Sequence, residues 1–149
     1  MPRIPRPAGH HTITPGFAGR NAAQVIAFLE KAFDGNVVSR YDGPGGSVAH
    51  AEVMIGDSVV MLGDAMPGLE PMPASLSYYV DDADAVDATY QHALDAGATS
   101  VSAPENQFYG YRSAIVTDAG ENRWTICAVV EQVSSEEMQR RMEEMTKGG

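Results

Sequence analysis

His50 and Glu52 stand two residues apart in Val48-Ala-His-Ala-Glu-Val-Met-Ile55, where apolar and polar residues alternate. On an extended strand that spacing puts both side chains on one face. An imidazole beside a carboxylate can move a proton near neutral pH, with either group as acid or base once burial perturbs it. The same pair could instead line a cavity, the histidine hydrogen-bonded to the carboxylate and holding the strand in register. Further along, Gln107, Phe108, Tyr109 and Arg112 fall in one stretch, read as a loop over 107–112. The Arg112 guanidinium offers a planar fork of donors for a carboxylate, enolate or phosphonate, or for an ion pair with Glu52, Asp64 or Asp118. Phe108, Tyr109, Tyr79 and Trp124 could form an aromatic wall for a planar ligand, with core packing the competing role for Trp124.

Other chemistry-bearing residues carry less. His10 and His11 are adjacent, so on a strand they face opposite ways and at most one could join His50. The pair is assigned to the surface or to packing of the N-terminal segment. His92 is expected to face solvent. Cys127 has no activating partner in the sequence and reads as a small buried hydrophobe. Asp42-Gly-Pro-Gly-Gly46 lacks the Lys-Ser/Thr of a phosphate-binding loop.

Composition narrows the classes. The chain has 149 residues, enough for one domain, and 44% of them are apolar. A domain of that size buries roughly 68–70% of the surface its unfolded chain exposes, so no disulfide or structural metal is needed. A single cysteine fits a reducing, cytoplasmic setting. A net charge of −10 argues against nucleic acid and anionic membrane as partners. No stretch has the ~20 consecutive apolar residues that would span a bilayer.

These residues must be held by elements that the sequence punctuates. A short first strand is expected at His11–Pro15. Asn21-Ala-Ala-Gln24 reads as a capping box, followed by Val25, Phe28, Leu29, Ala32 and Phe33 at helical spacing, with Gly35 closing the helix. Strands follow at Asn36–Tyr41, Val48–Ile55 and Ser58–Leu62, the last two joined by a Gly56-Asp57 turn. Met66–Pro73 is a Pro- and Gly-rich linker. The order then repeats: a strand at Ala74–Val80, a helix at Asp81–Gly97, and strands at Thr99–Ala103, Ser113–Thr117 and Arg123–Val129. A last helix starts at Ser134, with Met138, Met142 and Met145 as a packing stripe. The class is α+β. Two βαβββ modules, about 11–65 and 74–130, would form a curved eight-stranded mixed sheet around a cavity. Helices would lie on the outer face, with an extra C-terminal helix at 134–146.

With those elements placed, the chain resembles the vicinal oxygen chelate superfamily of glyoxalases, bleomycin-resistance proteins and extradiol dioxygenases. The resemblance rests on Ile26-Ala-Phe-Leu-Glu-Lys-Ala-Phe33, His50-Ala-Glu52, Val60-Met-Leu-Gly-Asp64, Tyr79-Val-Asp-Asp-Ala-Asp84 and Gly97-Ala98. It continues through Gln107-Phe-Tyr-Gly-Tyr-Arg112, Asp118–Trp124 and Ser135-Glu-Glu-Met138. The likeness implies a small-molecule cavity, a homodimer, and often a divalent metal that acts as a Lewis acid. The metal positions it implies fall near Thr14, Met61, Ser75 and Thr125, where no His, Asp or Glu stands. The expectation is therefore that the usual metal site is lost and that no cofactor is used, with Met61 lining the cavity instead.

Three functions remain open at this point. The first is a binding protein that sequesters an oxygenated or aromatic metabolite. The second is a metal-independent isomerase, epimerase, lyase or cyclase, with Glu52 or His50 moving a proton and Arg112 steadying charge on oxygen. The third is a displaced metal site using His50, Glu52 and His10 or His11. Binding is the reading carried forward, and whether there is turnover is left open.

Overall fold

The computed structural model describes residues 1–148. Among the described residues eight strands and three α-helices follow in the order β1 (Gly16–Gly19), α1 (Ala22–Phe33), β2 (Asn36–Asp42), β3 (Val48–Ile55), β4 (Ser58–Asp64), β5 (Ser75–Tyr79), α2 (Ala83–Asp95), β6 (Thr99–Asn106), β7 (Tyr111–Thr117), β8 (Arg123–Val129) and α3 (Ser135–Gly148), with a single 3-10 turn at Pro44–Gly46 between β2 and β3. The βαβββ order thus occurs twice, as the sequence suggests. The strands form two four-stranded sheets, β1-β4-β3-β2 and β5-β8-β7-β6, rather than one hydrogen-bonded sheet of eight. In each, the first strand runs parallel to the fourth and the other neighbours are antiparallel.

Alternation decides which face is covered. Ala51, Val53 and Ile55 of β3, with Val60 and Leu62 of β4, are buried in the core with Val25, Phe28, Leu29 and Phe33 of α1. In the second module Ala114, Val116, Trp124, Ile126 and Ala128 do the same with Val86 and Ala93 of α2. The two helices also touch, and Phe33 stacks on Tyr78 at 4.4 Å between ring centroids. The core therefore lies in the helix layer. The opposite face of each sheet, which holds His50 and Glu52 in one module and Tyr79 and Cys127 in the other, gets no helix.

Local details differ from the sequence reading, each for a physical reason. The first strand is Gly16–Gly19, past Pro15, because His11–Thr14 closes on itself: the Thr14 hydroxyl bonds both the amide and the carbonyl of His11. Asn21 does not cap α1. It adopts a left-handed conformation and gives its side-chain N–H to the Ala119 carbonyl. Asp64, at the end of β4, takes over the cap, accepting from the Ala22 amide at 3.0 Å and from the Val48 amide at 2.8 Å. At the other end of α1 the left-handed residue is Asp34, while Gly35 is needed for space, since a Cβ there would press on the Leu29 carbonyl and on Val53.

The helix α2 starts as expected on an acidic cap, Asp82 accepting from the Ala85 amide, and α3 on Ser134, which accepts from the Glu137 amide. No helix among the described residues is long and apolar enough to cross a membrane.

Asp64 satisfies two partly buried amides that have no other partner in their own elements, so Asp64→Ala should lower stability by roughly 2–3 kcal/mol, measured by urea unfolding. Asn21→Ala should move it by less than about 1 kcal/mol, the reverse of what a capping role would give.

Candidate functional site

The uncovered face of the first sheet is built from alternate positions of its strands. In β3 these are His50, Glu52 and Met54. Glu52 stands opposite Met61 of β4 and Ser39 of β2, and His50 stands opposite Tyr41. Gly16 and Ala18 of β1 continue the face, Gly16 beside Met61. The Ser39 hydroxyl, beside Glu52, is the one buried side-chain polar atom without a partner among the described residues.

Glu52 is the centre of this face. One carboxylate oxygen lies 2.9 Å from His50 Nε2 and the other 2.6 Å from His10 Nε2. His10 arrives on the segment ahead of β1, which runs beside β4: the Val59 amide donates to the Gly9 carbonyl. The hydrogen bond from His50 first, and then that from His10 together with the charge of both imidazoles, holds the Glu52 carboxyl below its ordinary value of 4.5, against an opposing effect of burial. The carboxylate is thus ionised throughout the neutral range and acts as an acceptor only.

His50 and Glu52 meet as the spacing of the sequence required. His10, expected at the surface or in packing of the N-terminal segment, instead bonds Glu52. It belongs to the constellation because its segment enters the sheet's open face from a turn rather than a strand, so strand parity does not apply to it. His11 points elsewhere, its ring nitrogen on the Asp57 carbonyl. No group of three His, Cys, Asp or Glu among the described residues is arranged to hold a metal. In the His10–Glu52–His50 row the carboxylate sits between the two rings, and each ring nitrogen is aimed at it rather than at a shared point.

A cleft of about 720 Å³ opens against this sheet, walled by His50, Met61, Asp64 and Phe17 and by the linker residues Met66, Leu69, Glu70 and Met72. The linker stays close because the Met72 amide donates to the Ala18 carbonyl at 2.6 Å. A second cleft, about 520 Å³, lies between the modules and takes in Tyr79, Tyr78, Asp57 and an edge of Trp124.

The aromatic residues of the second module form a ladder on its open face. Tyr79 and Tyr111 share a hydrogen bond of 3.0 Å between their hydroxyls, Tyr109 tilts against Tyr111 at 5.3 Å, and Phe108 packs edge-on to Tyr109. The bond to Tyr111 and the surroundings push the Tyr79 phenol up to about 12, so it stays protonated. The turn 107–110 that carries Phe108 and Tyr109 is fixed from behind. Gly110, with φ +93°, accepts from the Val130 and Glu131 amides, and Arg141 of α3 bonds the Phe108 carbonyl and Glu131. Gln107 closes the turn through its backbone, its amide donating to the Tyr111 carbonyl and its own carbonyl accepting from Gly110.

Two expected site residues are placed elsewhere. Arg112 is not on a loop but on β7, pointing to the helix side, where Asp87 of α2 grips its guanidinium at 2.8 and 3.2 Å. One strand position separates it from the open face, and the loop reading hid that parity. Trp124 is 3% exposed in the core and donates its indole N–H to buried Asp118 at 2.8 Å. The four positions where the resemblance places a metal hold two threonines, a serine and a thioether. Thr14 Oγ1 is already committed to the backbone of His11. Such donors do not fit Zn, Fe or Ni in place of imidazole and carboxylate.

Comparison with known proteins places the geometry in a family. The Glyoxalase/Bleomycin resistance protein/Dioxygenase superfamily matches residues 10–126. The chain belongs to this superfamily. It is 35% identical over 147 residues to the uncharacterized protein Mb0911c of Mycobacterium bovis, covering 91% of this chain and 95% of that one. The match to Rv0887c, an uncharacterized protein of Mycobacterium tuberculosis, is of the same strength and covers 85% of that chain. Among solved structures, TioX from Micromonospora aligns with a TM-score of 0.61 at 18% identity, over 83% of this chain and all of the other. The fosfomycin resistance protein FosX from Mesorhizobium loti aligns with a TM-score of 0.59 at 18% identity, over 88% and 98%. At such identities these structures speak for the fold of the superfamily member alone.

Because the folded-state carboxyl of Glu52 lies below 4.5, its contribution to stability is present above that value and is lost as pH falls through the lower one. The melting-temperature gap between wild type and Glu52→Gln should therefore narrow as pH is taken from about 5 to about 3. A gap that is flat or widens over that range would remove the ion pairing argued for Glu52.

Proposed function

We propose that this superfamily member is a metal-independent small-molecule-binding protein that sequesters an oxygenated or aromatic metabolite on the open faces of its sheets. The observation that carries the reading is the apolar cleft of about 720 Å³ against the first sheet, with His50 in its wall. It fits the usual size of a ligand site, largely hydrophobic with a few polar groups that set orientation. The donor set at the four metal positions supports independence from metal. A family neighbour named for fosfomycin resistance is consistent with capture or modification of a small molecule by this fold.

A second copy of the chain completes the site in this reading. Tyr41, Tyr79 and Val129 are exposed on the open faces, and a partner's sheet would cover them. The ligand sites of Met61, Tyr79, Phe108 and Tyr109 would then belong to one cavity. Gln107 contributes by shaping the aromatic turn. The lone buried Cys127 and the acidic surface fit a cytoplasmic protein that does not act on nucleic acid.

One observation favours a second reading, a metal-independent isomerase, lyase or cyclase. Both oxygens of Glu52 are bonded to imidazoles, which is a proton-handling arrangement rather than a mere lining. Arg112 has no part in it, being held by Asp87 behind the sheet.

Thermal-shift screening with aromatic and oxygenated metabolites separates the readings. A ligand held near one hundred times its Kd should raise the melting temperature by roughly 5–10 °C. The shift should survive EDTA, vanish in Met61→Arg, persist in Met61→Leu, and leave the ligand chemically unchanged by mass spectrometry. A shift abolished by EDTA would end the metal-independent reading. Conversion of the ligand that is lost in His50→Ala and Glu52→Gln would put the enzyme first. Sedimentation equilibrium should give a dimer, and a monomer at micromolar concentration would remove the shared cavity.

A further inference from the structure

The hydrogen bonds around Glu52 fix where its neighbours carry protons, and this bears on what the first cleft accepts. The Ala8 carbonyl only accepts, so His10 Nδ1, 3.2 Å away, carries a hydrogen. The ionised Glu52 also only accepts, so the Nε2 atoms of His10 at 2.6 Å and of His50 at 2.9 Å both carry hydrogens toward it. His10 thus has an acceptor at each ring nitrogen, the Ala8 carbonyl at Nδ1 and Glu52 at Nε2. His50 donates from Nε2 alone, and its Nδ1 has no partner among the described residues. In the neutral ring of His50 the carboxylate therefore selects the tautomer that leaves a lone pair on Nδ1, in the imidazole that lines the cleft.

The rest of the lining is apolar or acidic. Met61, Met66, Leu69 and Met72 form the walls; the charged members are Asp64 and Glu70, and no Lys or Arg is among them. Asp64 accepts from the Ala22 and Val48 amides. Glu70 is exposed at the rim. A carboxylate ligand would leave its charge facing two acidic groups and an acceptor nitrogen, with no Lys or Arg in the lining to meet it. A neutral alcohol could bond Nδ1 but would gain nothing from the charge. A protonated amine on an apolar body satisfies both, and methionine walls adapt to aromatic or aliphatic bodies.

We propose that the cleft against the first sheet selects apolar amines in their ammonium form, the ammonium donating to His50 Nδ1 and the methionine walls holding the body. The inference rests on the small-molecule reading above. His50 is the binding residue. Glu52 and, behind it, His10 are positioning residues that hold the His50 tautomer.

The test uses the full chain and a matched series, 2-(1-naphthyl)ethylamine, 2-(1-naphthyl)ethanol and 1-naphthylacetate, titrated by calorimetry at pH 7 and low salt. The amine should bind about tenfold more tightly than the alcohol and more than tenfold more tightly than the carboxylate. His50→Phe should bring the amine down to the level of the alcohol. His50→Asn, whose side-chain carbonyl lies as far from the backbone as Nδ1, should restore much of the difference. Glu70→Gln should weaken the amine about threefold and leave the alcohol unchanged. Thermal melts of each variant identify any that fail to fold, and His50→Asn then carries the comparison against wild type. Equal or tighter binding of the carboxylate, or an amine affinity indifferent to His50→Phe, would overturn the selection. If Met61→Arg still abolished all three, the cleft would remain the ligand site. If none of the three bound while the metabolite screen gave a ligand blocked by Met61→Arg, the amine class alone would fall. Failure of both the series and the screen would take the small-molecule reading with it.

Discussion

Phe33 joins the two modules. It sits at the end of α1, almost fully buried, stacked on Tyr78 at 4.4 Å and edge-on to Trp124 at 5.1 Å and Phe28 at 5.3 Å. Aromatic pairs at such distances add to what their buried area already contributes. Because this cluster lies on the helix side of both sheets, the first module's helix and the second module's sheet share one core. Each sheet's other face is left without cover from the helices. The cleft, the exposed tyrosines and the imidazole–carboxylate row exist because the hydrophobic demand of both modules is met in the middle.

The chain uses one chemical group in two ways. Asp118 is buried and accepts from the Gly120 and Asn122 amides, the Asn122 side chain and the Trp124 indole. Asp64 is likewise spent on backbone amides. Such carboxylates tie loops and strand ends together, and their partners are groups that cannot gain or lose a proton near neutral pH. Glu52 is bonded to imidazoles only. The same geometry that ties backbone amides elsewhere here orients the His50 ring in the wall of the cleft.

What was legible in the sequence follows strand parity. The alternation in Val48–Ile55 puts Val48, His50, Glu52 and Met54 on one face and Ala49, Ala51, Val53 and Ile55 on the other. The structure agrees from His50 onward, but a register shift at the start of the strand buries Val48 in the core and exposes Ala49. The duplicated element order could be read because Gly and Pro punctuate both halves. Parity failed where the backbone was not assigned to a strand. Arg112, taken as a loop residue, sits on β7 with its side chain toward α2, and His10, outside any strand, reaches Glu52 across forty-two positions of sequence. Asn21 has the composition of a cap, but its left-handed backbone turns the side chain to the Ala119 carbonyl, a long-range partner invisible to a local motif. Trp124 was readable as either wall or core. The decision came from buried Asp118, which gives the indole N–H an acceptor inside.

The cap on α1 has a bearing on how the molecule is made. Its acceptor, Asp64, lies forty-two residues downstream of the Ala22 amide that it satisfies, at the far end of the β3–β4 hairpin. A locally capped helix can close its first turn as soon as it forms, whereas this one stays open at its N-terminus until the last strand of the module has paired. Loop closure over that span is an entropic toll that local contacts do not repay. The N-terminal cap of α1 is therefore complete only in the presence of the whole first module. The parallel pairing of β1 with β4 ends at the same residue, since Gly19 lies opposite Asp64 itself. Helix, first strand and hairpin are thus tied together at one residue, Asp64.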